Sequence, residues 1–322
     1  MKALIVGAGA VGQVFGRHLA RGGAEVTFLV KPKYADECRR GFTLYQLRKT
    51  EPVRLDGCGV VTEASAGFDQ VYLTVSSPAL HGDWLPALGR ATGDATIVKL
   101  QPGLTDRAIV AAAIAPERIV GGTINFLSYH APLPGETRFA EPGMAYWLFP
   151  GKAPFSGDDA RVRAVVAALR AGGLPARRVR DVERTAAYPS AVLCAFVCAL
   201  EAAGWSFRAM RRSIDGPGTA GHAALGTRAG REAVAIVARE LDTRPPLSAR
   251  AMTRLFAFAM LRVAPRVVPC DFETYLRVHF TKVGDQMHAG LADYLARGKR
   301  AGQDVGALDE LVRQLPALTP AS

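Results

Sequence analysis

The chain has 322 residues, of which 49% are hydrophobic and 21% are charged, and its formal net charge is +11. This composition excludes a low-complexity chain and supplies enough apolar side chains for one large domain or two ordinary ones. The charge favours an anionic partner. Because the basic residues are scattered and no nucleic-acid motif accompanies them, we expect a phosphorylated cofactor and a small anionic substrate, not nucleic acid.

The cysteines and the apolar segments predict a cytoplasmic protein without a membrane span. The five cysteines show no C-x-x-C pairing, which is typical of a reducing compartment. The N-terminal MKALIV is too short for a signal peptide. The most apolar stretch, 186–200, contains a proline and falls short of the roughly 20 residues that cross a bilayer, so it predicts a buried helix.

The first half of the chain alternates short β-type runs with helical patterns. Strands are predicted at 2–6, 25–30, 70–75, 96–100 and 118–124, and helices at 10–22, 34–40, 79–91 and 105–115. Strands at 144–149 and 176–181, on either side of a helix at 158–171, should complete the sheet. Such alternation predicts an α/β fold, a Rossmann-type doubly wound parallel sheet.

Strand patterns disappear after about residue 184. Helices are predicted at 184–209, 219–241, 248–262, 271–297 and 305–314. The sequence therefore predicts a Rossmann domain over 1–183 and an all-helical substrate and dimerisation domain over 184–322. We expect a homodimer, with the ligand in the cleft between the domains.

A glycine-rich loop follows the first predicted strand. KALIVGAGAVGQVFG contains the pattern G-x-G-x-x-G, opens an amphipathic helix, and heads a βαβ unit of about 30 residues. In this pattern the first glycine permits the tight turn, the second lets a pyrophosphate approach, and the third lets the helix pack on the strand. We expect Gly7, Gly9, Ala10, Val11 and Gly12 to bind a dinucleotide at the helix N-terminus. A purely structural glycine turn is the alternative.

The end of the second strand favours NADP(H) over NAD(H). An NAD site usually has a carboxylate there that holds the ribose hydroxyls. This chain instead has Lys31 and Lys33, which would attract a 2′-phosphate. Alternatively, both are solvated loop lysines.

Polar residues also follow the later strands, where open α/β sheets bind ligands. Further cofactor contacts are predicted for Ser76, Ser77, Gln101, Pro102 and Asn125, although each could be ordinary loop chemistry.

This layout resembles the ketopantoate reductase family, whose members reduce ketopantoate to pantoate with NADPH. The shared features are the N-terminal G-x-G-x-x-G, the basic residue after the second strand, the strand ending in x-Q-x-G, and the helical second half. The resemblance implies an NADP-binding Rossmann domain and a helical domain.

The chain departs from that family at its functional positions. Pro102 stands in LQPGL where the family has asparagine. The family lysine of D-I-x-x-x-x-W-x-K falls on Pro189, and its two asparagines fall on Leu193 and Val197. The late substrate-handling glutamate falls on Gln286. We therefore expect a divergent member that lacks the usual catalytic lysine and asparagines.

Another acid is then required, because hydride delivery to a carbonyl leaves charge on oxygen. On the predicted helix 271–297, His279, Lys282 and Gln286 lie within about 60° of one another, at the border of the apolar stripe. Lys282 there could be partly desolvated and act as general acid, with His279 relaying the proton and Gln286 orienting the carbonyl. Equally, Lys282 could bury its stem and hold its charge in water.

Several other side chains compete for these roles. Tyr188, Tyr129 and His130 are alternative proton donors, and Arg184 and Arg208 could clamp a carboxylate or lie on the surface. Cys194 and Cys198 on an apolar helix indicate packing, and we expect no metal site.

The sequence thus predicts a cytoplasmic NADPH-dependent oxidoreductase that reduces a small 2-oxo acid or a related carbonyl or imine. A non-catalytic NADP(H)-binding sensor or interaction protein on the same fold is the alternative.

Overall fold

The computed structural model describes residues 1–49, 51–215, 221–244 and 255–317. Its contacts divide the chain into two compact units, Met1–Thr185 and Ala186–Ser322. This division lies two residues beyond the boundary expected from the sequence.

The described residues of the first unit form twelve strands. In chain order they are β1 (Lys2–Val6), β2 (Glu25–Leu29), β3 (Phe42–Gln46), β4 (Pro52–Leu55), β5 (Gly59–Val61), β6 (Gln70–Leu73), β7 (Thr96–Lys99), β8 (Ile119–Gly122), β9 (Phe126–Ala131), β10 (Gly143–Leu148), β11 (Ala153–Ser156) and β12 (Ala176–Arg178). Eight of them form the main sheet in the order β12-β11-β8-β7-β6-β1-β2-β5. From β8 to β5 all neighbours are parallel, whereas β11 is antiparallel to β8.

Helices cover both faces of the main sheet, as the predicted doubly wound fold requires. They are α1 (Ala10–Arg21), α2 (Ala35–Arg39), α3 (Trp84–Ala91), α4 (Asp106–Ala113), α5 (Asp159–Ala171) and the first turn of α6 (Val182–Ala202). One core lies between the sheet and α1 with α5, and a second lies between the sheet and α3 with α4. Strands β1, β6, β7 and β8 are buried on both faces, which explains their nearly continuous apolar sequences.

The predicted placement of residues 144–149 in the main sheet is wrong. Strand β10 belongs to a separate four-stranded sheet in the order β4-β3-β10-β9, where it pairs antiparallel with β9 and parallel with β3. No strands were predicted at 41–69 or 126–131, so the sequence offered no partners for β10 outside the main sheet. The place beside β8 is taken by β11, a four-residue strand that contains Pro154.

Two long predicted helices are each interrupted. The segment 184–209 forms α6 and then α7 (Phe207–Asp215), separated at Gly204 and Trp205, which both have positive φ. The segment 271–297 forms α10 (Phe272–Lys282) and α11 (Gly284–Arg300), separated at Val283 with φ −117° and ψ 25°. A β-branched residue followed by glycine favours such a break. The predicted helix 79–91 likewise divides into a 3₁₀ turn and α3, with Gly82 at φ +118° between them.

In the described parts of the second unit, every regular element is helical. Besides those above, they are α8 (His222–Glu240), a π-helical turn (Ala259–Val263), α9 (Ala264–Val267) and α12 (Gly306–Gln314). Residues 219, 220 and 248–254 of the predicted helices lie outside the described residues.

Two side chains complete the backbone hydrogen bonding of these helices. Pro265 has no N–H for the carbonyl of Leu261, and that carbonyl accepts from the guanidinium of Arg211 at 3.1 Å. The carboxylate of Glu232 accepts from the N–H groups of Ala307 and Leu308 at 2.9 and 2.8 Å, and so caps the N-terminus of α12.

Candidate dinucleotide site

The glycine loop between β1 and α1 has the geometry that its sequence predicts. Gly7 has φ +98°, a conformation that side chains rarely adopt. A Cβ on Gly12 would lie 2.1 Å from the carbonyl oxygen of Gly7, so only glycine lets α1 approach the end of β1 this closely. Both positions are therefore fixed by packing within the chain.

Gly9 differs from these two glycines. A Cβ at Gly9 would meet no atom within 4 Å, and its φ of −73° and ψ of −173° suit any residue. The space in front of Gly9 is therefore an open cradle. Alanine at this position would fill the cradle without straining the chain.

The cradle faces the N-terminus of α1. No side chain caps this terminus and its first turn has no acidic residue, so its amide groups and partial positive charge remain available. Ala10 and Val11 contribute two of those amides. The arrangement fits a phosphate or diphosphate group.

A cavity of about 1090 Å³ extends from this cradle. It reaches the chain after β2, the chain after β5, and one side of α3, and it is large enough for a nucleotide. Its lining includes Gly7, Gly9, Gln13, Lys31, Tyr34, Glu63, Val75, His81, Trp84 and His130.

The two predicted phosphate-binding lysines have different surroundings. Lys31 lines the cavity, whereas the ammonium of Lys33 lies 4.9 Å from the centre of the Tyr34 ring. Glu37 and Glu63 also line this end of the cavity. Glu63 was not predicted as a site residue, because β5, which precedes it, has only three residues and was not predicted.

Gln101 and Ser77 organise the carboxyl ends of β6 and β7. The Gln101 amide donates to the carbonyls of Leu73 and Val75 at 2.9 and 2.7 Å, so it joins the two strand ends. The Ser77 hydroxyl donates to the buried carboxylate of Asp106 at 2.8 Å, and the Gly103 amide donates to the same carboxylate at 2.5 Å. These two residues therefore fix the loops beside the cradle.

The other three residues predicted to contact the cofactor do not join the ends of β6 and β7. Ser76 is half-buried and Pro102 is exposed. The Asn125 amide donates to the carbonyls of Phe149 and Gly151 at 3.3 and 3.2 Å. Asn125 thus holds a turn of the chain.

The structure does not form the predicted polar face around Lys282. Lys282 is the last residue of α10 and is exposed, so the desolvation expected for it is absent. Gln286 lies in the next helix, beyond the break at Val283. His279 stacks on Tyr275, with ring centres 5.3 Å apart, and meets Phe280 edge-on. Catalysis by these three residues stays a prediction, and the single helical face on which it was based is not formed.

The competing donors and clamps have the following environments. The Tyr188 hydroxyl shares a hydrogen bond with Thr243 at 2.8 Å, and the Tyr129 hydroxyl donates to Glu136 at 3.0 Å. His130 lines the cavity. Arg184 and Arg208 are both exposed.

Cys194 and Cys198 pack against α11, where both thiols donate to the carbonyl of Met287 at 3.4 and 3.8 Å. Across the described ranges, no three His, Cys, Asp or Glu side chains are arranged to hold a metal ion. By length and composition α6 could cross a membrane. However, 56% of its apolar 18-residue segment is buried in the structure, as in a core helix.

Comparison with known proteins agrees with this geometry. Residues 3–148 match the family model described as "Ketopantoate reductase PanE/ApbA". This part of the chain therefore matches a ketopantoate reductase domain. The matched range contains the glycine loop, the cavity and the edge of β6 and β7, so the resemblance seen in the sequence is confirmed there.

Solved structures extend the likeness in fold to the whole chain. A PanE/ApbA family ketopantoate reductase from Ralstonia eutropha JMP134 is 20% identical, with a TM-score of 0.71 over 97% of this chain and 96% of its own. The 2-dehydropantoate 2-reductase of Geobacter metallireducens GS-15 is 20% identical, with a TM-score of 0.73 over 98% and 99%.

A D-mandelate dehydrogenase solved with NADH is 15% identical, with a TM-score of 0.73 over 98% and 97% of the two chains. A second structure of that enzyme holds NADH and anilino(oxo)acetate. At these identities the likeness establishes the fold alone. The search of curated proteins found no match.

Proposed function

We propose that this protein is an NADP(H)-dependent oxidoreductase that reduces a small 2-oxo acid or a related carbonyl or imine. The open cradle at Gly9, which faces the uncapped N-terminus of α1 and joins a nucleotide-sized cavity, carries this proposal. The bound cofactor would supply a hydride.

Residues along the sheet edge would hold this cofactor in the order of the strands. The amides of Ala10, Val11 and Gly12 would bind the diphosphate. The cavity on the β2 side would take the adenosine half, with Lys31 at the 2′-phosphate. Because the strand order continues from β1 to β6 and β7, the nicotinamide half would lie over the ends of those strands, beside Ser76, Gln101 and Pro102.

The substrate proposal leaves ketopantoate open as one candidate among several. At the positions where the resemblance implies lysine and two asparagines, this chain has exposed Pro189, partly exposed Leu193 and buried Val197. None of these offers a side-chain hydrogen bond. We propose 2-oxo acids with a larger apolar group as the first candidates, a choice supported by the anilino(oxo)acetate bound to the mandelate dehydrogenase.

The same three positions favour the second candidate, a non-catalytic NADP(H)-binding sensor. Incubation of the protein with NADPH and a panel of 2-oxo acids, followed by absorbance of the reduced nicotinamide, separates the two functions. We expect oxidation of NADPH that depends on one of these acids. Tight NADPH binding with no oxidation by any acid would favour the sensor.

We further propose that the protein is cytoplasmic and works as a homodimer. None of the five cysteines forms a disulfide bond, which suits a reducing compartment. Sedimentation equilibrium of the purified protein tests the dimer: a mass of twice 34.3 kDa is expected, and the monomer mass at all concentrations would contradict it.

A further inference from the structure

A buried lysine ends strand β7. Lys99 is 3% exposed, and it lies between Leu73 of β6 and Gly121 of β8. Lysine is almost never fully buried unless it is paired, because removing an ammonium group from water is costly. A lysine within TIVKL, where its neighbours are apolar, therefore calls for a specific partner.

That partner is Glu183 in the first turn of α6. The Lys99 ammonium nitrogen lies 3.5 Å from Oε1 of Glu183. A Cβ on Gly121 would lie 2.6 Å from the same oxygen, so the glycine makes room for the carboxylate. The start of α6 is fixed by the Val182 amide, which donates to the Ser156 hydroxyl at 2.9 Å.

The pair is not closed by a tight hydrogen bond. A separation of 3.5 Å exceeds the usual range for such bonds, and the guanidinium of Arg107 is 3.6 Å from the same oxygen. Oε1 of Glu183 is buried and has no hydrogen-bond partner within the described chain. The ammonium has three protons and the carboxylate an open acceptor, so the pair can engage a further polar group.

The pair lies at β7 and β8, which are on the opposite side of β1 from β2 and β5 in the strand order. The cavity extends from the diphosphate cradle after β1 to the chain after β2, the chain after β5 and one side of α3. The reacting end of a dinucleotide would then extend over β6 and β7. Gln101 joins the ends of these two strands, and Val75, to which it donates, lines the cavity. Lys99 lies in β7, two residues before Gln101.

We propose that Lys99 is a catalytic residue, the general acid of the reduction, and that Glu183 is a positioning residue that holds its ammonium. This rests on the proposed oxidoreductase function. The reduced cofactor, when bound, would supply a hydride to the carbonyl carbon, and the electron pair of the C=O bond would move to oxygen. That oxygen would form an O–H bond as an N–H bond of Lys99 breaks. The neutral amine of Lys99 would then recover its proton from water, and the oxidised cofactor would be released.

The electrostatics of the site make Lys99 a stronger acid than an ordinary lysine. Desolvation lowers the pKa of Lys99, Glu183 and Asp106 oppose that shift, and Arg107 adds to it. An acid must be protonated to work, so turnover should be highest below the pKa of Lys99 and fall as the pH rises through it. Removal of the Glu183 charge should move this fall to lower pH.

The first test compares Lys99→Met, Lys99→Arg and Glu183→Gln in the full chain. Lys99→Met should lower kcat by about 10²–10⁴-fold while the Kd for NADPH changes less than about two-fold. Lys99→Arg keeps the positive charge but is a poor acid, so its kcat should lie between that of Lys99→Met and that of the unmodified protein. Glu183→Gln should shift the upper limb of the pH profile to lower pH. The matched control is Lys299→Met, which removes an exposed pair with Asp309, and it should leave kcat unchanged.

A second test does not depend on turnover. Lysine ammonium NMR of the cofactor-free protein, with Lys99→Arg for assignment, should show a pKa for Lys99 below its ordinary value, and NADPH should shift that resonance. An ordinary pKa together with unchanged kcat in a folded, NADPH-binding Lys99→Met protein would overturn the proposal. If instead none of the 2-oxo acids supports NADPH oxidation by the unmodified protein, the proposed function itself has failed.

Discussion

Each of the two units contains a lysine that is a candidate proton donor, and the two lysines differ in their exposure to solvent. Lys99 is buried in a strand and held by Glu183, whereas Lys282 is exposed in the last turn of α10. A cation in the last turn of a helix interacts favourably with the helix dipole, worth roughly 0.3–1 kcal/mol. Lys282 thus has a structural explanation where it stands. Lys99 lies in a strand and has no such helix dipole to stabilise it, so the free-energy cost of its burial needs another explanation.

The largest expected effect separates these two lysines. Lys282→Ala should lower kcat less than ten-fold, compared with about 10²–10⁴-fold for Lys99→Met, because an exposed ammonium is hydrated. Steady-state kinetics with the best 2-oxo acid measure both. Abolished turnover in Lys282→Ala with unchanged NADPH affinity would restore the role predicted from the sequence.

The next effect compares two glycines of one loop. Gly9→Ala should fold normally and weaken NADPH binding by about 100-fold, roughly 2.7 kcal/mol, because the new methyl group would occupy the diphosphate cradle. Gly12→Ala should destabilise the fold as well, since its Cβ meets the Gly7 carbonyl. Calorimetric titration and thermal unfolding measure the two effects.

Gly306→Ala, the same change at an exposed helix start in the second unit, is the control and should alter neither quantity. Full NADPH affinity in Gly9→Ala would mean that the cradle holds no phosphate.

A smaller effect tests the adenosine end of the cavity. Lys31→Ala should weaken NADPH about ten-fold and NADH by less than two-fold, because only NADPH has a 2′-phosphate for the ammonium to contact. Glu63→Gln is the matched change of charge at another residue that lines the cavity, and it should not weaken NADPH binding. If Glu63→Gln reduces NADH affinity and Lys31→Ala changes nothing, the physiological cofactor is NADH.

The smallest effect concerns the second unit alone. Glu232→Ala leaves the first amides of α12 without their acceptor, which should lower the free energy of unfolding by about 1–2 kcal/mol. Chemical denaturation measures this loss, and NADPH affinity should be unchanged. An unfolding free energy equal to that of the unmodified protein would show that water replaces the cap at no cost.

Prediction from sequence succeeded where short-range rules determine geometry. The positive φ of Gly7 and the close approach of Gly12 to the Gly7 carbonyl both arise within one β-turn-α unit, so spacing alone located these glycines. Their helix, α1, and the strands that flank it were also predicted within a residue or two.

Prediction failed where the outcome depends on distant parts of the chain. Strand β10 was assigned to the wrong sheet because its partners, β9 and β3, were not predicted as strands. The pair of Lys99 and Glu183 joins residues far apart in sequence. The only indication of it in the sequence is the presence of a lysine in an otherwise apolar strand. The face of Lys282 and Gln286 assumed a helix that continues through Val283 and Gly284, and that assumption was wrong.

Titration of the purified protein with NADPH and with NADH tests the central claim most directly. Saturable binding of one dinucleotide per chain, tighter for NADPH than for NADH, is the predicted result. No association with either dinucleotide would contradict the cradle at Gly9 as a diphosphate site and, with it, the proposed reduction.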